Sequence, residues 1–155
     1  SDQVVDDIIS EALRHIDRRA AEHHIAVDCG DVLLLARMDA GLIMQVLINL
    51  VNNAVKYTPV GSNIRITAIP RENMAEICVS DNGPGIPNEL KERVFEMFFT
   101  GGNPIGDSRR SLGLGLTLCQ TIVHAHHGEM TLKDNSPHGC IFSFTIPLSE
   151  VNLNE

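Results

Sequence analysis

The sequence predicts a single α/β domain, a two-layer sandwich with helices on one face of a mixed, mainly antiparallel sheet. Three observations carry this. Leu42, Val46, Leu47, Leu50, Val51 and Ala54 form a broad apolar stripe at helical spacing. Ile64, Ile66 and Ala68 alternate, and the run from Met74 to Ser80 follows them across a turn, which is the pattern of a hairpin. A last apolar segment, Cys140 to Pro147, comes after a further helical pattern, so strands and helices are mixed in order without any repeat.

Taken in order, residues from Val4 to about His23 read as an amphipathic helix, because Val5, Ile8, Ile9, Ala12 and Ile16 recur at helical spacing. Ile25 to Cys29 and Val32 to Ala36 read as short strands around an Asp28-Cys29-Gly30-Asp31 turn. Asp39 is the expected N-cap of a second helix running to Tyr57 and ended by Thr58-Pro59 and Gly61-Ser62. The hairpin follows, with its turn placed at Pro70 to Asn73. Asp81 to Pro87 is a Gly/Pro loop and Glu89 to Phe98 a short helix. Thr100 to Arg110 holds Gly101, Gly102, Pro104 and Gly106 among few apolar residues and reads as a mobile loop. A third long helix is expected from about Leu114 to His127, stopped by Gly128, and strands at Glu129–Lys133 and Cys140–Pro147 close the sheet.

Composition narrows the function. A length of 155 residues, 43% apolar and 21% charged, suits one soluble domain with a real core and excludes global disorder. There is no Trp and one Tyr, so the core must be aliphatic. A formal net charge of −8 argues against a nucleic-acid surface, yet backbone amides or a metal ion can still hold a phosphate on an acidic protein. No apolar stretch is long enough to span a bilayer, so no membrane contact is expected of this segment itself. The chain begins Ser1-Asp2 without Met, which reads as a piece of a longer protein. Cys29, Cys78, Cys119 and Cys140 are scattered without Cys-x-x-Cys spacing and read as reduced core thiols.

Three elements carry chemistry. Gln45, Asn49, Asn53 and Lys56 lie four, four and three residues apart, which lines them along one face of the second helix. Asn is a poor helix former, so stacked carboxamides suggest a ligand, although an ordinary polar face fits the same pattern. Next, Asp81-Asn82-Gly83-Pro84-Gly85-Ile86-Pro87 directly follows an apolar strand. An aspartate at a strand end can accept a hydrogen bond from an exocyclic amine, and the glycines let backbone approach a flat ligand. The heptapeptide also reads as a simple turn. Last, Gly113-Leu114-Gly115-Leu116 opens the third helix, where amides and the dipole suit a phosphate, or where the glycines serve packing alone.

Their joint occurrence resembles a known family. Asn49-Leu50-Val51-Asn52-Asn53-Ala54-Val55-Lys56-Tyr57-Thr58 resembles the asparagine box of sensor histidine kinases, Asp81 to Pro87 their first glycine box, Val94 to Phe99 their phenylalanine box, and Gly113 to Leu116 their second glycine box. The resemblance spans roughly Asp39 to Pro147, and the His124-Ala125-His126-His127-Gly128 helix end is similar to potassium-responsive members.

The resemblance implies a Bergerat ATP-binding fold, with ATP and Mg²⁺ as cofactors. It implies Asn53 as metal ligand, Asn49 and Lys56 as catalytic residues near the phosphates, and Tyr57 lining the adenine pocket. Asp81 would hold the adenine amine, with Gly83, Gly85 and Ile86 shaping the pocket. Thr100 to Ser111 would be a lid, and Gly113, Leu114, Gly115 and Leu116 its phosphate-binding hinge. Thr100 stands where many kinases carry Arg or Lys, a charge that Arg109 or Arg110 would replace.

Hydrolytic relatives carry a glutamate at the position of Asn49. An amide cannot take a proton from water at neutral pH, so ATP should be kept for phosphotransfer. His15 lacks the acidic residue and Arg/Lys-x-Pro pattern of a phosphoacceptor. The phosphoacceptor and dimerisation domain is therefore expected upstream, in a parent protein of the bacterial plasma membrane whose cytoplasmic catalytic domain this is. The implied partners are that domain and, through the parent, a cognate response regulator.

Overall fold

The computed structural model describes residues 1–16, 18–31, 33–91 and 107–149, and of 107–114 the backbone alone. The second predicted helix is α2, Ala40–Tyr57, and it follows the sequence signals closely. Asp39 Oδ1 accepts from Leu42 N at 3.0 Å, a cap that contributes about 1 kcal/mol. Ile43, Val46, Leu47, Leu50, Val51, Ala54 and Val55 are buried along its inner face. Each fully buried Leu, Ile or Val there stabilises the fold by about 1.5–3 kcal/mol.

The sheet this stripe covers has five strands in the order β2-β4-β5-β7-β6. They are β2 (His24–Asp28), β4 (Asn63–Arg71), β5 (Met74–Asp81), β6 (Met130–Asp134) and β7 (Cys140–Pro147). β2 pairs parallel to β4 and every other pair is antiparallel. Register aligns the apolar set on one face: Ile66 lies opposite Val79, Val79 opposite Phe142, Ile77 opposite Phe144, and Phe144 opposite Met130. All of these are buried, whereas their neighbours along β4 and β5 are exposed or half-buried. Among the described residues one face is therefore covered, by α2 and α4 (Asp107–Ala125), with α1 (Val5–Leu13) packed against α2. The predicted two-layer class is observed.

Several boundaries differ from expectation. The long first helix is instead α1 followed by a 3-10 turn at Arg18–Glu22, preceded by a strand β1 (Asp2–Val4). α1 ends at Leu13 although Ile16 would extend its stripe of Val5, Ile8, Ile9 and Ala12, and Ile16 still packs against the core from beyond the helix. The two strands expected around the Asp28–Asp31 turn do not pair. β2 joins the main sheet, while β3 (Leu35–Arg37) pairs with β1 in a separate two-stranded sheet. Pro70 lies within β4, not in the turn. β2 stops pairing at Thr67, so the missing N–H of Pro70 falls where β4 is an edge. The turn itself is Glu72-Asn73, with Glu72 at φ 58.

After the Asp81–Pro87 loop, α3 spans Asn88–Lys91. The rest of the expected helix to Phe98, the phenylalanine box and the lid up to residue 106 lie outside the described residues. α4 begins at Asp107, seven residues before the expected Leu114. Gly113 and Gly115 therefore sit inside a helix instead of opening it, and Asp107–Ser111, expected in a loop, is helical. Within a continuous helix these amides bond the carbonyls four residues back, an alternative to capping an anion that local pattern does not reveal. At the other end α4 stops at Ala125, two residues before the expected His127. His127 takes φ 66, with His127 N on His124 O and Gly128 N on Val123 O, both at 3.0 Å. Gly128 serves a different need: a Cβ there would stand 1.7 Å from Thr145 O.

Candidate functional site

α2 is the spine of the site. Halfway along it Asn49 faces α4: its Nδ2 donates to Cys119 Sγ at 3.6 Å, and its Oδ1 accepts from Gln45 Nε2 at 3.3 Å. A Cβ at Gly115 would lie 3.7 Å from the Asn49 amide, so Gly115 and Cys119, one turn apart, form its seat. Cys119 is fully buried, and burial pushes its thiol up to about 11, against the lowering effect of the Asn49 hydrogen bond. One turn beyond Asn49, the Nδ2 of Asn53 is buried with no hydrogen-bond partner among the described residues. A buried amide without a partner costs about 1–3 kcal/mol, so this group is the spine's unmet polar demand. Lys56 Nζ stands 5.6 Å from the ring centroid of Tyr57.

The C-terminal end of α2 meets the loop after β5. Thr58 Oγ1 donates to Ala54 O at 2.6 Å and hydrogen-bonds His23 Nε2 at 2.9 Å. Its methyl would stand 2.6 Å from a Cβ at Gly83, which is why that position carries none. Asp81 is 8% exposed. Its Oδ1 accepts from Gly83 N at 2.9 Å and from Cys140 N at 3.3 Å, and no hydrogen bond among the described residues reaches Oδ2. Burial raises the Asp81 carboxyl above its ordinary value, and the two amide bonds oppose that shift. Gly139, at φ +115, passes so close that a Cβ would lie 1.9 Å from Asp81 O. Burial and then the Asp81 charge push the Cys140 thiol up to about 11.

The asparagine face of α2 thus runs from the Gly115/Cys119 seat to the Asp81 loop, about 13 Å along the axis at 1.5 Å per residue. This brings together Asn49, Asn53, Lys56 and Tyr57 on one side, Asp81, Gly83, Gly85 and Ile86 at one end, and Gly115 at the other. A profile described as histidine kinase-, DNA gyrase B- and HSP90-like ATPase matches residues 38–150. The chain belongs to that family.

Within it, the chain is a histidine kinase catalytic domain. The catalytic domain of the histidine kinase ThkA superposes with a TM-score of 0.81 at 30% identity, covering 95% of this chain and 94% of that one. ThkA in complex with the response regulator protein TrrA aligns at a TM-score of 0.79 and 29% identity, over 96% of this chain and 42% of that one. The sensor protein KdpD of Clostridium acetobutylicum is 37% identical over 145 residues, 94% of this chain and 16% of its own length. The adaptive-response sensory kinase SasA of a Nostoc species is 40% identical over 111 residues, 71% of this chain and 27% of its own length. The chain thus spans well under a third of these curated relatives.

Other expected histidine-kinase positions fall differently. Arg109, Arg110, Gly113 and Leu114 lie on the α4 backbone, their side chains outside the described atoms. Leu116 is fully buried in the core. Cys29, Cys78, Cys119 and Cys140 are free thiols. His15, set aside as phosphoacceptor, is exposed and pairs with Glu11 at 3.1 Å. His126 accepts from Asp39 N at 3.0 Å through Nε2 and bonds Ile122 O at 2.8 Å through Nδ1. It therefore ties the end of α4 to the start of α2. Among the described residues no group of His, Cys, Asp or Glu is placed to hold a metal, and no helix is long and apolar enough to cross a membrane. Sequence reasoning missed four supports of the site: Cys119, Thr58, Asn135, whose Nδ2 donates to Asp81 O, and His138, whose Nδ1 donates to Gly83 O.

Proposed function

We propose that this domain binds Mg·ATP and delivers the γ-phosphoryl group to a histidine on a separate helical hairpin of its parent sensor kinase, as a step of two-component signalling. The observation that carries the reading is the buried Asp81 carboxylate, with Oδ1 committed to two backbone amides and Oδ2 left to accept from an exocyclic amine such as that of adenine.

Asn53 supports the metal. Mg²⁺ takes oxygen ligands, and a half-turn of the carboxamide exchanges its O and N, so a buried amide with no partner is a fitting donor. When bound, the metal supplies charge neutralisation on the phosphates. The chain's own residues do the rest. Asn49, held by Cys119 and Gln45, is fixed near the phosphates without being a base for water. Lys56 adds positive charge, Tyr57 and Ile86 wall the base, and Gly83 and Gly85 keep the approach open. Arg109 or Arg110 would replace the charge missing at Thr100, and Gly113, Leu114 and Gly115 of α4 would line the triphosphate, with Leu116 anchoring that segment in the core. As the acceptor imidazole nitrogen bonds to the γ-phosphorus, the bond to the β–γ bridging oxygen breaks and ADP leaves.

The similarity to ThkA, which forms a complex with the response regulator protein TrrA, supports a response regulator as the parent's downstream partner. The parent is proposed to sit in the bacterial plasma membrane. Incubation with γ-labelled ATP, with and without the parent's helical hairpin, tests the reading. The chain alone should bind ATP, hydrolyse it slowly and stay unlabelled, while the hairpin should acquire an acid-labile label. Strong self-labelling, or fast hydrolysis without the hairpin, would overturn it.

A further inference from the structure

We infer that Asn135, His138 and Lys91 are positioning residues for base recognition, forming a frame that sets where the Asp81 loop stands. This rests on the reading of Asp81 as the adenine acceptor. The loop leaves the sheet at Asp81, so from Asn82 onward no ladder holds it on both sides. Its carbonyls are gripped instead by side chains. Asn135 Nδ2 donates to Asp81 O at 2.8 Å, His138 Nδ1 to Gly83 O at 2.9 Å, and Lys91 Nζ to Ile86 O at 2.9 Å. Lys91 is in turn paired to Asp134 Oδ1 at 2.9 Å, and its side chain is only 17% exposed.

Asn135 and His138 lie in the connection between β6 and β7, and Lys91, at the end of α3, is tied to the start of that connection through Asp134. Asn135 N closes that turn on Gly139 O at 3.0 Å, and the next residue, Cys140, donates its N–H to Asp81 Oδ1. One rigid turn therefore grips both the backbone and the carboxylate of Asp81. Gly83 O can only accept, so His138 Nδ1 carries the proton in this contact. The frame touches oxygens of the loop and not the apolar core, which separates its role from packing.

Base discrimination is sensitive to such a frame. A carboxylate accepts from the 6-amino group of adenine and faces the 6-oxo group of guanine as acceptor against acceptor. A displacement of about an ångström at the reading atom weakens the first and relieves the second.

The experiment measures Kd for ATP and GTP by calorimetry on the full chain, for wild type, His138→Ala, His138→Asn and Lys91→Met. His138 is exposed, and Met keeps the lysine stem, so melting curves should show folded variants. The wild type should prefer ATP. His138→Ala and Lys91→Met should each cut the GTP/ATP Kd ratio by about fivefold, the worth of one hydrogen bond. His138→Asn, whose Nδ2 reaches where Nδ1 did, should restore it. If His138→Ala does not fold, Lys91→Met decides alone. A wild type with no preference for ATP would overturn the Asp81 reading and this inference together. A wild type that prefers ATP, with folded variants keeping its ratio or losing both nucleotides equally, would overturn the frame and leave Asp81 standing.

Discussion

Asn49 on α2 and Cys119 on α4 are 70 residues apart in sequence, and the amide of one donates to the sulfur of the other at 3.6 Å. The thiol in turn points its weak donor at Val46 O, 3.9 Å away, which leaves a sulfur lone pair for the amide. The two helices therefore meet through a polar contact at the asparagine face, inside an otherwise apolar seam.

That contact predicts a difference between Cys119→Ser and Cys119→Val. Serine keeps an acceptor behind Asn49 and should retain Mg·ATP affinity. Valine fills the space but leaves the amide unpaired, at a cost of about 1 kcal/mol, so affinity should fall roughly fivefold. Calorimetry on both variants decides it, and equal affinities would strip the contact of consequence. Because burial holds the thiol up at about 11, Cys119 should also resist alkylation in the native protein at neutral pH.

Asp81 links binding and stability with opposite signs. Its folded-state carboxyl titrates above its unfolded one, so the stability it contributes is present below the unfolded value and is lost as pH rises through the folded value. At neutral pH the ionised group therefore costs stability. Asp81→Asn should melt at the same temperature as wild type or higher at pH 7, with the gap closing as pH falls through the carboxylate range. Over that window ATP affinity of the wild type should weaken as the acceptor protonates. A mutant that melts well below wild type at pH 7 would contradict the sign.

Asn53→Ala should abolish the Mg²⁺-dependent part of ATP affinity without harming the fold. The side chain's Nδ2 has no partner to lose among the described residues, and Ala is a better helix former than Asn by roughly 0.5 kcal/mol. Titrations with and without chelator should separate wild type from variant only when metal is present. Wild-type Mg·ATP affinity in the folded variant would refute the assignment.

Gly139→Ala and Gly128→Ala form a matched pair. Each would drive a Cβ into a carbonyl oxygen, that of Asp81 at 1.9 Å and that of Thr145 at 1.7 Å, so each should destabilise by more than about 3 kcal/mol. Only the first displaces the Asp81 loop. Nucleotide titrations well below both melting points should show ATP weakened in Gly139→Ala and largely kept in Gly128→Ala. Equal losses would mean that the loop is not the sensitive element.

The sequence by itself determined what short-range signals can specify. The Asp39 cap, the stripe from Val46 to Ala54 and the Thr58-Pro59 stop placed α2, although Leu42, expected in that stripe, is exposed and Ile43 is buried in its place, and the alternation of Ile64, Ile66 and Ala68 placed β4 with its buried face. The asparagine and glycine segments also pointed to the family, because their chemistry is local to each motif. Tertiary structure decided the rest. That β2 runs parallel to β4 while β3 pairs with β1 depends on partners in distant segments, and strand pattern alone does not name the partner. Where α4 starts is a competition between helical bonding and loop, which two glycines leave finely balanced. The seat of Asn49 on Cys119 and the grip of Asn135 and His138 on the Asp81 loop span 54 to 70 residues. A hydrogen bond across such a separation contributes nothing until the core has closed the chain between its ends.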